Sequence, residues 1–152
     1  MIILNPEDDI NNINPFRTSV FLAGPTPRSS DILSWRPEAL KLLEKNDYGG
    51  YAYVPERKDW KIQFDYCDQI EWELQGLNDC GEILFWVPRN METMPALTTC
   101  CEFGMFIKSG KVWYGRPEDS VKNKYLDYLY VKYTGKKPML TIETLIEALI
   151  CG

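Results

Sequence analysis

The sequence predicts an α/β domain, a flavodoxin-like (Rossmann-like) three-layer sandwich around a mostly parallel sheet of four to five strands. Short apolar runs that stop at glycine or proline alternate with longer segments of helical periodicity, the order that builds parallel sheets. Residues 83–87 are apolar throughout, as in a strand covered on both faces. The length of 152 residues, with 45% hydrophobic residues and no internal repeat or low-complexity linker, predicts a single domain over residues 1–152.

The strands are predicted at apolar runs bounded by turn formers. A short edge strand is expected first, and the next run is a central strand stopped by Gly24 and Pro25. Gly49 and Gly50 separate the first helix from the following strand. The predicted strands are residues 2–4, 18–23, 51–55, 83–87 and 111–114.

Five helices are predicted between and after these strands. Ser30 or Asp31 is expected to cap the first, whose apolar face includes Trp35, Leu40, Leu42 and Leu43. The second covers 64–77, with a mostly apolar stripe of Phe64, Cys67, Ile70, Glu71, Leu74 and Leu77. The third carries Glu102, the fourth covers 118–133 with Glu118 and Asp119 in its first turn, and the fifth covers 141–150 with Thr141 near its start.

Composition and charge exclude several classes of function. The net charge of -5 disfavours a surface for nucleic acid polymers. No apolar run approaches the roughly 20 residues that span a bilayer, and the first 15 residues do not resemble a signal peptide. Five cysteines without a CxxC pair predict free thiols in a reducing cytoplasm.

The absence of histidine restricts the chemistry further. It excludes Ser-His-Asp and Cys-His catalysis and histidine-ligated zinc, and the cysteine spacings do not support an all-cysteine site. No GxGxxG follows the first central strand and no GxxxxGK[ST] is present, so dinucleotide-binding and P-loop functions are not predicted. A receiver domain is disfavoured because no Asp follows the strand at 83–87. We therefore expect no metal and no cofactor.

Glu102 is the best candidate for the centre of the site. It lies in the first turns of the helix that follows the strand at 83–87, where ligands bind in doubly wound sheets. The positive end of the helix dipole is expected to keep this carboxylate ionised. Cys100 and Cys101 lie beside it, but a thiol mechanism is disfavoured because no histidine or evident cation lowers the pKa of either thiol.

Several segments together carry a family resemblance. VFLAGP, the WE pair, ILFWVP, TTCCEFG and GKVWYGRP, which cover about residues 20–117, resemble the nucleoside 2-deoxyribosyltransferase family, most closely its smaller, more divergent deoxyribosyltransferase-like branch. The resemblance implies that Glu102, followed by Phe103 and Gly104, is a nucleophile that attacks C1′ of a 2′-deoxynucleoside. A second base then accepts the sugar. Water as the acceptor, or a non-catalytic nucleotide-binding module, remains the alternative.

The resemblance also assigns other residues and partners. The loop with Gly24, Pro25, Thr26 and Arg28 is expected to lie over the sugar. In relatives that act on nucleotides an arginine in such a loop binds the 5′-phosphate, so Arg28 keeps a nucleotide as an alternative substrate. Either Asp79 or Glu82 takes the role of the acidic residue that contacts the base. Thr98 and Thr99 lie where many members have a glycine and are expected to bind substrate. Free nucleobase is the expected second substrate, and a homo-oligomer is expected to form through the tyrosine-rich helix and the last helix.

Overall fold

The computed structural model describes residues 1–14, 17–29, 31–59, 61 and 65–152. This part of the chain forms one five-stranded sheet and five helices. The strands are β1 (Ile2–Leu4), β2 (Ser19–Ala23), β3 (Tyr51–Tyr53), β4 (Glu82–Trp86) and β5 (Val112–Gly115). The helices are α1 (Arg36–Lys45), α2 (Tyr66–Asp79), α3 (Leu97–Phe106), α4 (Lys124–Thr134) and α5 (Ile142–Cys151).

All strand pairs are parallel, and the order across the sheet is β1-β3-β2-β4-β5. The chain moves from β2 to β3 on one side and then crosses to β4 on the other side of β2. In the β2–β4 pair, Phe21 is opposite Ile83 and Ala23 is opposite Phe85. The carboxyl ends of β2 and β4 are therefore a topological switch point, where α/β sheets open a crevice for ligands.

Helices cover both faces of the sheet, which confirms the predicted three-layer flavodoxin-like class. Because side chains alternate along a strand, Phe21 belongs to the core cluster that includes residues of α2, α3 and α4, and Leu22 belongs to the cluster that includes residues of α1 and α5. Phe103 from α3 lies edge-on between Phe85 and Tyr114, with both centroid distances 5.1 Å. This packing fixes α3, the helix that carries Glu102, on the central strands.

The first helix begins later than predicted. Asp31 lies in an exposed turn and does not cap α1, and Ser30 lies outside the described residues. The residue before the helix is Trp35, which has no side-chain capping bond. Its indole Nε1–H donates to the carbonyl of Pro25 at 3.1 Å, and a proline in the first turn suits the start of a helix. Tertiary anchoring of Trp35 therefore sets this boundary.

The second helix is rotated relative to the predicted stripe. Asp65 caps it by accepting from the backbone N–H of Cys67 at 2.7 Å, and the predicted start at Phe64 lies outside the described residues. Its buried residues are Trp72, Gly76 and Leu77, whereas Cys67 and Ile70 are exposed. Gly76 explains the rotation: a Cβ there would lie 3.0 Å from ring atoms of Phe21 and Tyr53, so the helix approaches the sheet along its glycine side.

The fourth helix begins at Lys124 instead of residue 118, so Glu118 and Asp119 are not in its first turn. The preceding segment is held by Ser120, whose Oγ donates to the carbonyl of Val87 at 2.7 Å and accepts from the backbone N–H of Arg89 at 2.8 Å. Lys122 has φ 55°, which is incompatible with a right-handed helix. The fifth helix is capped by Thr141 as predicted, with the backbone N–H of Thr144 as donor at 3.2 Å.

Within the described residues, no helix combines the length and the apolar character needed to cross a bilayer.

Candidate functional site

A pocket of about 490 Å³ opens at the carboxyl ends of β2, β3 and β4, at the switch point described above. The loop after β2 and Pro55 after β3 form one side. The other side is formed by α2 as far as Leu74 and by α3 as far as Met105. Since α2 and α3 run antiparallel to the strands, their first turns lie at this edge of the sheet.

Most of the predicted site residues line this one pocket. From separate parts of the sequence the fold brings together Gly24, Pro25, Thr26, Arg28, Thr98, Thr99 and Glu102. The backbone N–H of Arg28 donates to the carbonyl of Thr93 at 3.1 Å. This bond joins the loop after β2 to the segment before α3, so the two walls of the pocket are fixed to each other.

Asp79 and Glu82 are not brought together with Glu102. Glu82 is the first residue of β4, at the amino edge of the sheet, and its Oε2 accepts from Nε1 of Trp113 at 2.8 Å. Asp79 is the exposed last residue of α2. Asp79 and Glu82 both precede the strand predicted at 83–87. Because the start of a parallel strand lies at the sheet edge opposite the ligand crevice, neither residue reaches the pocket.

Gly24 shapes the turn at the base of the pocket. Its φ is 153°, and a Cβ there would lie 2.2 Å from the carbonyl oxygen of Trp86 and 2.8 Å from the ring of Trp35. A side chain would therefore collide with the backbone of the neighbouring strand. The glycine allows the loop after β2 to pass close over the end of β4 and reach the pocket.

Arg36 holds this loop from beneath and was missed by the sequence analysis. Only 1% exposed, it donates from Nε to the carbonyl of Leu22 at 3.0 Å and from Nη2 to that of Gly24 at 2.7 Å. Its Nη1 reaches Oγ1 of Thr26 at 3.1 Å and Oε1 of Glu56 at 2.6 Å. The signal in the sequence was its helical spacing from Ala39 and Leu43, which places Arg36 on the buried face of α1.

Burial lowers the pKa of the Arg36 guanidinium, and the negative charges of Glu56, Glu102 and Glu73 oppose that shift. Such a charge is tolerated inside a protein only when it is paired and hydrogen-bonded. Glu56 supplies the direct ion pair. The positive charge of Arg36 also acts to lower the pKa of the two carboxyl groups of the pocket, Glu102 and Glu73, against the effect of burial.

Glu102 and Glu73 form the second unusual feature of the pocket. Burial, the largest cause, and the charge of Glu73 together raise the pKa of Glu102 to about 8, against the opposing charge of Arg36. Burial also raises the pKa of Glu73, against a hydrogen bond from Gln69 and the charge of Arg36. Two carboxyl groups that repel each other in this way titrate as a pair. Near neutral pH Glu102, with its pKa of about 8, is the member of the pair that holds a proton.

This corrects the expectation that the helix dipole keeps Glu102 ionised. Glu102 is the sixth residue of α3, and the influence of the dipole falls off within the first turn. Burial and the neighbouring Glu73 have the larger effect, in the opposite direction.

Glu73 was not assigned to the site from the sequence. The WE pair was noted as part of the family pattern, but which of Glu71 and Glu73 points inward depends on the rotation of α2. Gly76 and Trp72 settle that rotation in the folded chain, and Glu73 lines the pocket whereas Glu71 is exposed.

The two thiols beside Glu102 lie in different surroundings. Cys101 lines the pocket, and Cys100 contacts Arg89, whose Nη2 lies 2.7 Å from its Sγ, a cationic partner that the sequence did not reveal. All five cysteines are free. No group of three or more potential metal ligands occurs among the described residues.

The fold and the site define an α/β domain with two half-buried carboxyl groups at its switch point and hydroxyl groups around them. The chain belongs to the family described as nucleoside 2-deoxyribosyltransferase like, which it matches over residues 17–120. That range includes all the residues named above as lining the pocket. This membership confirms the resemblance and places the chain in a transferase-like enzyme family. Among curated proteins, none matches the chain significantly.

Proposed function

We propose that this protein cleaves the N-glycosidic bond of a 2′-deoxynucleoside, or of its monophosphate, and transfers the deoxyribose to another nucleobase. The observation that carries the proposal is the pairing of Glu102 with Glu73 in one pocket, with a raised pKa for both carboxyl groups. Glycosidic chemistry with a covalent intermediate needs one ionised carboxylate and one protonated carboxyl group. A pair that holds one proton supplies both.

Before substrate binds, the proton rests on Glu102, because burial and the charge of Glu73 raise the pKa of Glu102. The reacting form is the one in which this proton has passed to Glu73, and in the first step the carboxylate of Glu102 then attacks C1′ of the sugar. The bond from C1′ to the base nitrogen breaks, and its electron pair remains on the base. Glu73 donates its proton to the leaving base, which departs neutral. The enzyme then carries a deoxyribosyl ester on Glu102, and Glu73 is ionised.

In the second step a different base attacks C1′ of the ester. Its N–H proton passes to Glu73, and the carboxylate of Glu102 is released. The pair again holds one proton, so the cycle closes without a metal or an external cofactor. Both steps use only side chains of the pocket.

The remaining pocket groups suit a sugar. Thr26, Thr98 and Thr99 carry hydroxyl groups, and Arg28 lies on the same loop as Thr26. These groups can donate to sugar oxygens, and Arg28 can pair with a 5′-phosphate. Nucleoside and monophosphate substrates are therefore both included in the proposal.

Hydrolysis is the close alternative, since water in place of the second base resolves the same ester. A non-catalytic nucleotide-binding module is the alternative of another class. The four deoxynucleosides and their monophosphates, incubated with and without a second free base, distinguish these functions by chromatography of the products. Glu102→Ala serves as the control.

A new nucleoside that appears only with the second base establishes transfer. Free base released in both conditions, and abolished by Glu102→Ala, establishes a hydrolase. If no substrate reacts while calorimetry detects equal binding to the wild type and to Glu102→Ala, the chain is a binding module and the proposed catalysis is wrong.

We also propose that a second copy of the chain covers the pocket mouth or the exposed face of α4. Leu97 and Met105 beside the pocket are 65% and 62% exposed, and Tyr125 and Tyr128 on α4 are 73% and 63% exposed. Exposed apolar surface of this kind is typical of subunit contacts. Sedimentation velocity at micromolar concentration should show an oligomer, and Tyr125→Glu and Leu97→Glu identify the face. A monomer for the wild type contradicts this.

A further inference from the structure

We propose that Gln69 is a positioning residue for the proton donor, and that Arg57 fixes the orientation of its amide. The proposal deepens the proposed function and rests on it, because it assigns the group that orients Glu73 toward the leaving base. Gln69 lines the pocket without belonging to the carboxyl pair. It connects that pair to an arginine on the loop after β3.

Two hydrogen bonds define the connection. Nε of Arg57 donates to Oε1 of Gln69 at 3.0 Å, and Nε2 of Gln69 donates to Oε1 of Glu73 at 2.9 Å. Arginine can only donate and a carboxylate can only accept. The reversed amide would direct its NH₂ group at the guanidinium and its oxygen at the carboxylate. Only the observed orientation satisfies both partners.

The amide therefore directs a donor at one oxygen of Glu73. Because Oε1 accepts this bond, Oε2 is left to carry the proton. Gln69 and Glu73 are four residues apart on α2, the spacing at which side chains on a helix meet, so the bond also limits the rotamers of Glu73. A carboxyl group held in this way presents its proton in one direction.

The charges around Glu73 come from three elements. Glu102 faces it from α3, Arg36 from α1, and Arg57 acts through Gln69 from the loop after β3. The bond from Gln69 favours the ionised form of Glu73 and lowers its pKa, against the larger effect of burial. Loss of Gln69 should therefore raise the pKa of Glu73 and leave its proton less directed.

The kinetic test uses Gln69→Glu and Gln69→Ala. The first keeps the size of the side chain and an acceptor for Arg57, but it replaces the donor that faces Glu73 with an acceptor. The matched control is Gln75→Glu on the same helix, where Nε2 donates to Asn11 Oδ1 at 3.2 Å, outside the pocket. Thermal denaturation and circular dichroism check that each variant is folded.

Each protein is assayed with an ordinary purine deoxynucleoside and with the corresponding deoxynucleoside methylated at N7 of the base. The methylated base is already cationic and leaves without a proton. We measure kcat/KM, which reports the steps up to base release. Because positioned proton donors contribute about 100- to 10,000-fold, we expect a loss of about 10- to 100-fold with the ordinary substrate. The loss with the methylated substrate should stay below about threefold.

A second measurement does not depend on turnover. Carbon-13 NMR of the side-chain carboxyl groups follows the titration of Glu73 and Glu102. We expect Gln69→Ala to raise the apparent pKa of Glu73, and the acid limb of the kcat/KM profile to move to higher pH with it. Gln75→Glu should change neither.

Equal losses with both substrates would mean that Gln69 only supports binding or folding, and would overturn the inference. An unchanged titration of Glu73 in Gln69→Ala would overturn it as well. If the wild type turns over neither substrate, the proposed function fails, and the kinetic part of the inference fails with it. If the wild type is active and the variants lose nothing, the proposed function stands and the inference alone is wrong.

Discussion

Acidic residues have different surroundings at the two edges of the sheet. At the amino edge, Glu82 accepts from Trp113, and Nζ of Lys111 donates to the carbonyls of Leu77, Asn78 and Cys80 at 2.7, 2.8 and 3.0 Å. At the carboxyl edge, the half-buried Glu73 and Glu102 line one pocket, and their pKa values rise. The polar groups at the amino edge have hydrogen-bond partners. At the carboxyl edge the ionised forms of the two carboxyl groups are disfavoured.

This difference separates residues that hold the fold together from residues available for chemistry. Lys111 closes the carboxyl end of α2, where helix carbonyls lack partners within the helix. The carboxyl pair contributes nothing comparable to folding, since two nearby carboxylates destabilise the ionised state. Perturbed groups in a cleft mark candidate functional sites, and the charge state of this pair is what the proposed reaction requires.

The largest expected effect is on turnover, and it should be confined to one edge. We expect Glu102→Gln to lower kcat/KM for the best deoxynucleoside by at least about 1,000-fold, because the amide cannot form the ester. Glu82→Gln at the opposite edge should stay within about twofold of the wild type. An equal loss in Glu82→Gln would show that the acidic residue at the start of β4 contacts the base after all.

The second-largest expected effect is on the pH dependence of turnover, which follows the proton shared by Glu73 and Glu102. We expect kcat/KM of the wild type to fall above about pH 8, where the pair loses its proton, and to fall again in acid, where it gains a second one. Glu73→Gln removes the donor and the repelling charge. It should lower kcat/KM about 100-fold and abolish the alkaline limb. The acid limb should then report Glu102 alone and lie at a pH no lower than in the wild type, because burial still raises the pKa of Glu102. A pH profile identical in shape to that of the wild type would exclude Glu73 as the donor.

The smallest effects are on stability, and they should have opposite signs at the two edges. The pKa of Glu102 rises from 4.5 to about 8 on folding, so ionising it costs the folded state free energy once the pH exceeds 4.5. Glu102→Gln should therefore raise the free energy of unfolding at pH 7 by about 3 kcal/mol. The gain should vanish below about pH 4.5 and be complete above about pH 8.

Glu82→Ala should lower the free energy of unfolding by about 1 kcal/mol, because the buried Nε1–H of Trp113 loses its acceptor. Urea denaturation of both variants at pH 4.5, 7 and 8.5 measures the pair of effects. Destabilisation by Glu102→Gln at neutral pH would mean that the carboxylate is better compensated than its burial indicates.

The fold class was predictable because it depends on local signals. Apolar runs with glycine or proline stops indicated all five strands, and the run at 83–87 showed by its uniform apolarity that helices cover both faces. Boundaries were less predictable where tertiary contacts decide them. Trp35 anchors the start of α1 through Pro25, and Ser120 delays α4 by binding the chain after β4.

The same division holds for the site. The sequence by itself determined the alternating order of elements, the position of Glu102 after a buried strand, and the turn at Gly24 that reaches the pocket. Only the tertiary structure decided which acidic residue accompanies Glu102. Glu73, Asp79 and Glu82 are close in sequence, but the rotation of α2 at Gly76 and the direction of β4 place Glu73 alone in the pocket. The protonation of the pair was also decided there, because a pKa depends on burial and on charges that only folding brings together.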